Sequence, residues 1–168
     1  MDSLPADFFD LLEAFLFEGV EFLLVGSFAL AAHGVSRATG DMDVWVRPTP
    51  ENAAVVFRAL ARFGAPLAMH QIRVEDFARV GTVYQMGLPP FRIDVLTRPS
   101  GLDFESAWAD RHEVQLGSIV VPVLGLRDFV RNKTVAGRPK DLADLALLRE
   151  AGADVDALAL GKPGLISL

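Results

Sequence analysis

The sequence predicts an α/β (α+β) domain of short strands interleaved with helices, and three observations predict it. Apolar residues recur at helical spacing over residues 7–18, 51–63 and 126–151. Short apolar or β-rich runs occupy residues 20–25, 41–46, 82–86, 91–96, 113–116 and 119–123. Gly or Pro stands between most of these segments and keeps each one short. With 168 residues the chain suits a single domain. Residues 1–124 form the expected core, and residues 125–168 are C-terminal helices and a tail packed on it.

Residues 7–18 set Phe8, Leu11, Leu12, Phe15 and Leu16 on one face and Asp10, Glu13 and Glu18 opposite, and Gly19 ends that helix. The continuous apolar run 20–25 reads as a central strand. A small-residue helix follows over 27–32, closed by His33-Gly34, with Gly34 suited to a left-handed cap. The strand 41–46 leads to a marked helix start, where Thr49 caps, Pro50 takes the first position and Glu51 favours the positive end of the dipole. Val55, Val56, Ala59, Leu60 and Phe63 are its core face, and Gly64 stops it.

A short helix is expected over 74–78. Residues 82–86 and 91–96 read as a hairpin over Gly87-Leu88-Pro89-Pro90, and 113–116 with 119–123 as another over Gly117-Ser118. Residues 103–109 allow a turn or two of helix. The last third carries a helix over 126–136, a joint at Gly137-Arg138-Pro139, and a helix over 140–151 with Leu142, Leu145 and Leu148 inward. Residues 152–168 are expected as a loosely docked tail. Trp45 and Trp108 read as core.

The bulk properties exclude several classes. An apolar fraction of 51% rules against extensive disorder, and a net charge of −6 gives no overall attraction to nucleic acid. The absence of cysteine removes disulfides, thiolate chemistry and Cys-type zinc sites. The apolar run at 22–32 falls short of the roughly 20 residues a bilayer span needs, and the acidic N-terminus is unlike a signal peptide. A cytoplasmic protein with no membrane partner is the expectation. No Walker loop, dinucleotide fingerprint or nucleophile elbow is present.

The chemistry concentrates in residues 22–46. Asp41 and Asp43 stand two apart on a strand and so project to one face. Two like charges so fixed need a cation or a basic group between them. Gly26-Ser27 is a tight turn into a helix, whose backbone N–H groups suit phosphate oxygens. Asp94 is an acid inside an otherwise apolar strand, either a third member of the set, an exposed edge-strand acid, or the partner of Arg92 or Arg98. Residues 127–140 hold Arg127, Arg131, Lys133, Arg138 and Lys140 against one acid, Asp128. That cluster is either a solvated helix face or a phosphate contact, with Lys133 foremost. Asp141 and Asp144 read as acids favouring a helix N-terminus. His33 reads as a helix-end hydrogen-bonding group, and no His lies at metal-ligand spacing.

These motifs resemble the nucleotidyltransferase fold of the DNA polymerase β superfamily. Its pattern is Gly-(Gly/Ser), a spacer, then Asp-x-(Asp/Glu), matched by Gly26-Ser27, thirteen residues, and Asp41-Met42-Asp43. The chain is similar in particular to the bacterial AbiEii/AbiGii toxin-type minimal nucleotidyltransferases, through Arg37-Ala38-Thr39-Gly40-Asp41-Met42-Asp43, a later Lys133, and Lys140-Asp141-Leu142-Ala143-Asp144.

The resemblance implies a mixed, twisted sheet flanked by helices, with the carboxylates at one edge. It implies transfer of a nucleoside monophosphate from a nucleoside triphosphate to a hydroxyl, with Mg2+ (or Mn2+) as cofactor. Asp41, Asp43 and Asp94 would be catalytic and metal-binding. Gly26, Ser27, Arg37, Thr39, Lys133 and Lys140 would bind the nucleotide, although Arg37 could equally pair with Asp41 or Asp43. The acceptor would be an RNA end, a protein or a small molecule. Toxin relatives carry a larger C-terminal helical part, so an antitoxin-like partner chain is a further expectation. The alternative is a non-catalytic protein that keeps the fold and binds a nucleotide or a partner.

Overall fold

The computed structural model describes residues 4–37 and 40–160. Helix α1 (Ala6–Glu18) leads into strand β1 (Phe22–Val25), helix α2 (Gly26–Ala32), strand β2 (Met42–Val46) and helix α3 (Pro50–Phe63). A 3-10 turn at Val74–Ala78 precedes the hairpin of β3 (Val83–Met86) and β4 (Ile93–Leu96). Helix α4 (Phe104–Ala109) is followed by a second hairpin, β5 (His112–Leu116) and β6 (Ile119–Val123). Helices α5 (Leu126–Ala136), α6 (Pro139–Glu150) and α7 (Val155–Ala159) close the described chain.

The six strands form one mixed sheet in the order β3-β4-β2-β1-β6-β5. β2 pairs antiparallel with β1 and parallel with β4, and β6 joins the other side of β1 in parallel. All four residues of β1 are buried, as the unbroken apolar run requires of a strand covered on both faces. At the edge, β3 alternates instead, with Tyr84 and Met86 inward and Val83 and Gln85 outward. The sheet is thus mixed and helix-flanked, as expected.

Local chemistry accounts for the ends of the elements. Thr49 accepts the Asn52 N–H at the start of α3, and Asp103 accepts the Ser106 N–H at the start of α4. A single apolar core runs from Phe8, Leu12 and Phe15 through Leu23, Val44 and Val95 to Phe129, Leu145 and Val155. Each large apolar side chain buried there contributes roughly 2 kcal/mol, which makes this core the main stabilising term.

Three expectations are corrected. Asp41 precedes β2, which begins at Met42. Leu142 is 54% exposed; the inward positions of α6 belong to Asp141, Asp144, Leu145 and Leu148. Helix α6 therefore presents charge as well as apolar surface to α5. Residues 152–160 are not a loose tail, because α7 packs against α5 and α6 and buries Val155. Residues 161–168, the remainder of that tail, lie outside the described residues, as does Thr39.

Candidate active site

The parallel pairing of β2 with β4 sets Asp43 directly across from Asp94. The antiparallel pairing of β1 with β2 sets Val25 across from Asp43, so the chain turns into α2 beside that carboxylate. Gly26 makes this turn at φ 65°, and a Cβ there would collide with the Asp43 carboxylate. The Ser27 hydroxyl lies 3.5 Å from the Asp41 carbonyl oxygen, a long contact. Gly40 is required by packing, since a Cβ would overlap the Pro90 carbonyl of the β3–β4 turn. That turn is also pinned by the Met42 N–H, which donates to the Arg92 carbonyl at 2.8 Å.

The result is one cavity of about 560 Å³ lined by Gly26, Ser27, Arg37, Asp41, Asp43, Asp94, Lys133 and Lys140. Every candidate site residue drawn from the sequence lies on it except Thr39, which is not described. Arg98 and Arg138 line it too. Among the described residues, no three acidic or histidine side chains converge closely enough to enclose a metal ion as they stand.

The acids are poorly compensated. Burial pushes the Asp43 carboxyl up to about 6, and Asp94 and Asp41 push the same way against Lys140 and Lys133. Burial also raises Asp94, with Asp41 adding to the shift. Arg92 and hydrogen bonds with Gln85 and Asp43 oppose it. Asp43 and Asp94, paired across adjacent strands, are thus both raised, each mainly by burial. One Asp94 oxygen, Oδ1, is buried without a hydrogen-bond partner.

Arg92, one of the two partners the sequence offers Asp94, is the cation beside these acids, and it reaches Asp41 as well. Its Nη2 is 3.3 Å from Asp41 Oδ2 and its Nε is 3.4 Å from Asp94 Oδ1. Three carboxylates, one with an orphaned oxygen, are donors of the all-oxygen kind that hard divalent cations take, although they do not enclose an ion as they stand. The chemistry of the donor set suits such an ion.

The basic side of the cavity is built differently. Lys133 is buried, and its Nζ lies 3.1 Å from both Asp141 Oδ1 and Asp144 Oδ2. Arg37 does not pair with Asp41 or Asp43; its Nε lies 2.6 Å from Asp144 Oδ1. Arg138 Nε lies 2.7 Å from Asp141 Oδ2, while the Arg138 N–H donates to the same oxygen and caps α6. Asp141 and Asp144 are therefore more than dipole acids: both are buried and hold three cations against the site. Burial alone would raise Asp141, but the hydrogen bonds from Arg138 and Lys133 outweigh it and lower its carboxyl. Lys140, in contrast, is exposed and has no carboxylate partner within 4 Å among the described residues.

The His33 ring is hydrogen bonded to the Leu124 carbonyl oxygen at 2.8 Å, tying α2 to the end of β6. Trp45 is buried, with Nε1 donating to the Thr97 carbonyl, and belongs to the core as expected. No described helix is long and apolar enough to cross a membrane.

No family model and no curated protein sequence matches this chain. Among solved structures it is similar to one described as a "putative nucleotidyltransferase" from Thermotoga maritima. The two share 15% identity and a TM-score of 0.57, over 86% of this chain and 91% of that one. At that identity the likeness concerns the fold, which is nucleotidyltransferase-like.

Proposed function

We propose that the protein is a magnesium-dependent nucleotidyltransferase that moves a nucleoside monophosphate from a nucleoside triphosphate to a hydroxyl acceptor. The observation that carries this reading is the meeting of Asp41, Asp43 and Asp94 in one cavity with the Gly26-Ser27 turn and a basic wall. Asp41, Asp43 and Asp94 would hold the Mg2+ or Mn2+. When bound, the cation neutralises charge on the phosphates and lowers the acceptor hydroxyl's hold on its proton.

The protein's own groups do the rest. Backbone N–H groups of Gly26 and Ser27 and the Lys140 ammonium are suited to hold the β- and γ-phosphates. Lys133, fixed by Asp141 and Asp144, and Arg37, fixed by Asp144, keep positive charge at that wall without being free to collapse onto the acids. Asp94, whose proton affinity is raised, is the base that accepts the acceptor O–H proton. The acceptor oxygen forms its bond to the α-phosphorus as the bond to pyrophosphate breaks. The acceptor would be an RNA end, a protein side chain or a small alcohol, and a toxin–antitoxin role with a partner chain belongs to this same reading.

The non-catalytic alternative has less support, because Asp94 is directed at Asp43 rather than away from it. The test is incubation with each α-labelled triphosphate, Mg2+ and total RNA or lysate. The wild type should label an acceptor and release pyrophosphate, and Asp41→Asn should reduce transfer at least about 100-fold, a loss of about 2.7 kcal/mol of transition-state stabilisation, while still folding. Full transfer by Asp41→Asn would exclude the catalytic assignment. Release of free phosphate alone would point to a phosphohydrolase.

A further inference from the structure

We infer that Arg92 is a built-in, displaceable counter-ion of the acidic cluster, which competes with the divalent cation until a triphosphate arrives. The inference rests on the reading above that these acids hold such an ion. Arg92 is placed to neutralise Asp41 and Asp94 together, from the turn that leads into β4. Its pairing is nevertheless loose. Contacts of 3.3 and 3.4 Å are well beyond the roughly 2.7–2.9 Å of a good charge-assisted bond. Arg92 Nε and Asp94 Oδ1 both remain buried without a hydrogen-bond partner, although they face one another.

The arginine–aspartate pairs of the basic wall differ in their closest approach, although Asp144 Oδ1, like Asp94 Oδ1, lacks a hydrogen-bond partner. Arg37 and Arg138 approach their carboxylates to 2.6 and 2.7 Å. A guanidinium that gives Asp41 one long hydrogen bond and closes none with Asp94 is a poor permanent partner and a good temporary one. Its side chain is 33% exposed, so it has a path to solvent when it lets go. While it stays, it keeps Asp41 and Asp94 facing the same point and weakens the pull of the cluster on a free cation. Metal alone then binds weakly. Metal with a triphosphate, which adds its own negative oxygens, binds well.

The test is a Mn2+ titration without nucleotide, followed by the electron-spin resonance of free Mn2+, on wild type, Arg92→Met and Arg92→Lys. A pH of 8.5 limits proton competition at Asp43 and Asp94, both of which are raised and the second of which loses the opposing Arg92 charge in the neutral variant. Arg92→Met should bind Mn2+ about tenfold more tightly than wild type, toward the lower end of ordinary site–site coupling. Arg92→Lys, which keeps the charge, should stay near wild type. Arg92→Gln serves in the same role if Arg92→Met does not fold. Equal or weaker binding by the folded neutral variant overturns the inference and leaves the metal site intact. Absence of Mn2+ binding by wild type and variants alike, even with triphosphate added, overturns the metal reading and the inference with it.

Discussion

Two clusters of aspartates are built to opposite ends, one lining the cavity and the other behind the cations of its basic wall. Asp141 and Asp144 are the more buried, yet each of their charges is answered at close range by Lys133, Arg37 or Arg138. Asp41, Asp43 and Asp94 are less buried; Arg92 meets Asp41 and Asp94 at 3.3 and 3.4 Å, and Lys140 and Lys133 act on Asp43 from farther off. The Asp141 carboxyl is accordingly lowered, whereas those of Asp43 and Asp94 are raised. Burial therefore does not by itself set the direction in which an acid is shifted. What separates the two clusters is whether the chain supplies the compensating charge at close range.

The sharpest way to break this contrast is to remove one charge from the paired cluster. Asp141→Asn leaves Arg138 and Lys133 facing a neutral amide inside the fold. It should cost about 3 kcal/mol, near the lower end for breaking a buried pair, because Lys133 keeps Asp144. Urea denaturation at pH 7.5 measures this. A loss under about 1 kcal/mol would make that cluster as dispensable as the exposed ion pairs.

A smaller effect of opposite sense belongs to Asp43. Its folded-state carboxyl is raised to about 6 from an unfolded value near 3.8, so the fold favours the protonated form. That contribution is fully present below pH 3.8 and is lost as pH rises through 6. Between pH 4 and 7.5 the wild type should therefore lose about 2 kcal/mol relative to Asp43→Asn. The lowered carboxyl of Asp141 titrates below this window, which keeps the two clusters distinguishable. Urea midpoints of both proteins at pH 4.5 and 7.5 give the difference. Parallel pH profiles would show that Asp43 is not under electrostatic load.

What the sequence made legible follows the range of the interactions involved. Asp41 and Asp43 could be found because a strand repeats every two residues, and Gly26-Ser27 because a turn needs its own residues. Asp94 stood out as an acid among Ile93 and Val95. That β4 docks parallel to β2 and puts Asp94 against Asp43 is a long-range pairing, and no local pattern states it. The same limit hid the second cluster. On a helix N-terminus Asp141 and Asp144 look like dipole acids, and only the packing of α6 against α5 turns them inward onto Lys133. It also explains Leu142, whose helical spacing with Leu145 and Leu148 suggested the core while the structure leaves it exposed. The pairing of Arg37 with Asp41 or Asp43 failed for a related reason, its partner Asp144 being far away in sequence.

The most direct test of the central claim, that the under-compensated acids receive a cation while the paired ones do not need it, is a thermal melt. Wild type and Asp43→Asn are melted with a non-hydrolysable triphosphate across a Mg2+ series at pH 7.5. The account predicts that wild type gains roughly 5 °C or more at saturation, as a ligand at about 100 times its Kd would give a domain of this size. Asp43→Asn should start at the same melting temperature or higher and gain almost nothing. A variant that responds to Mg2+ as fully as wild type would contradict the account.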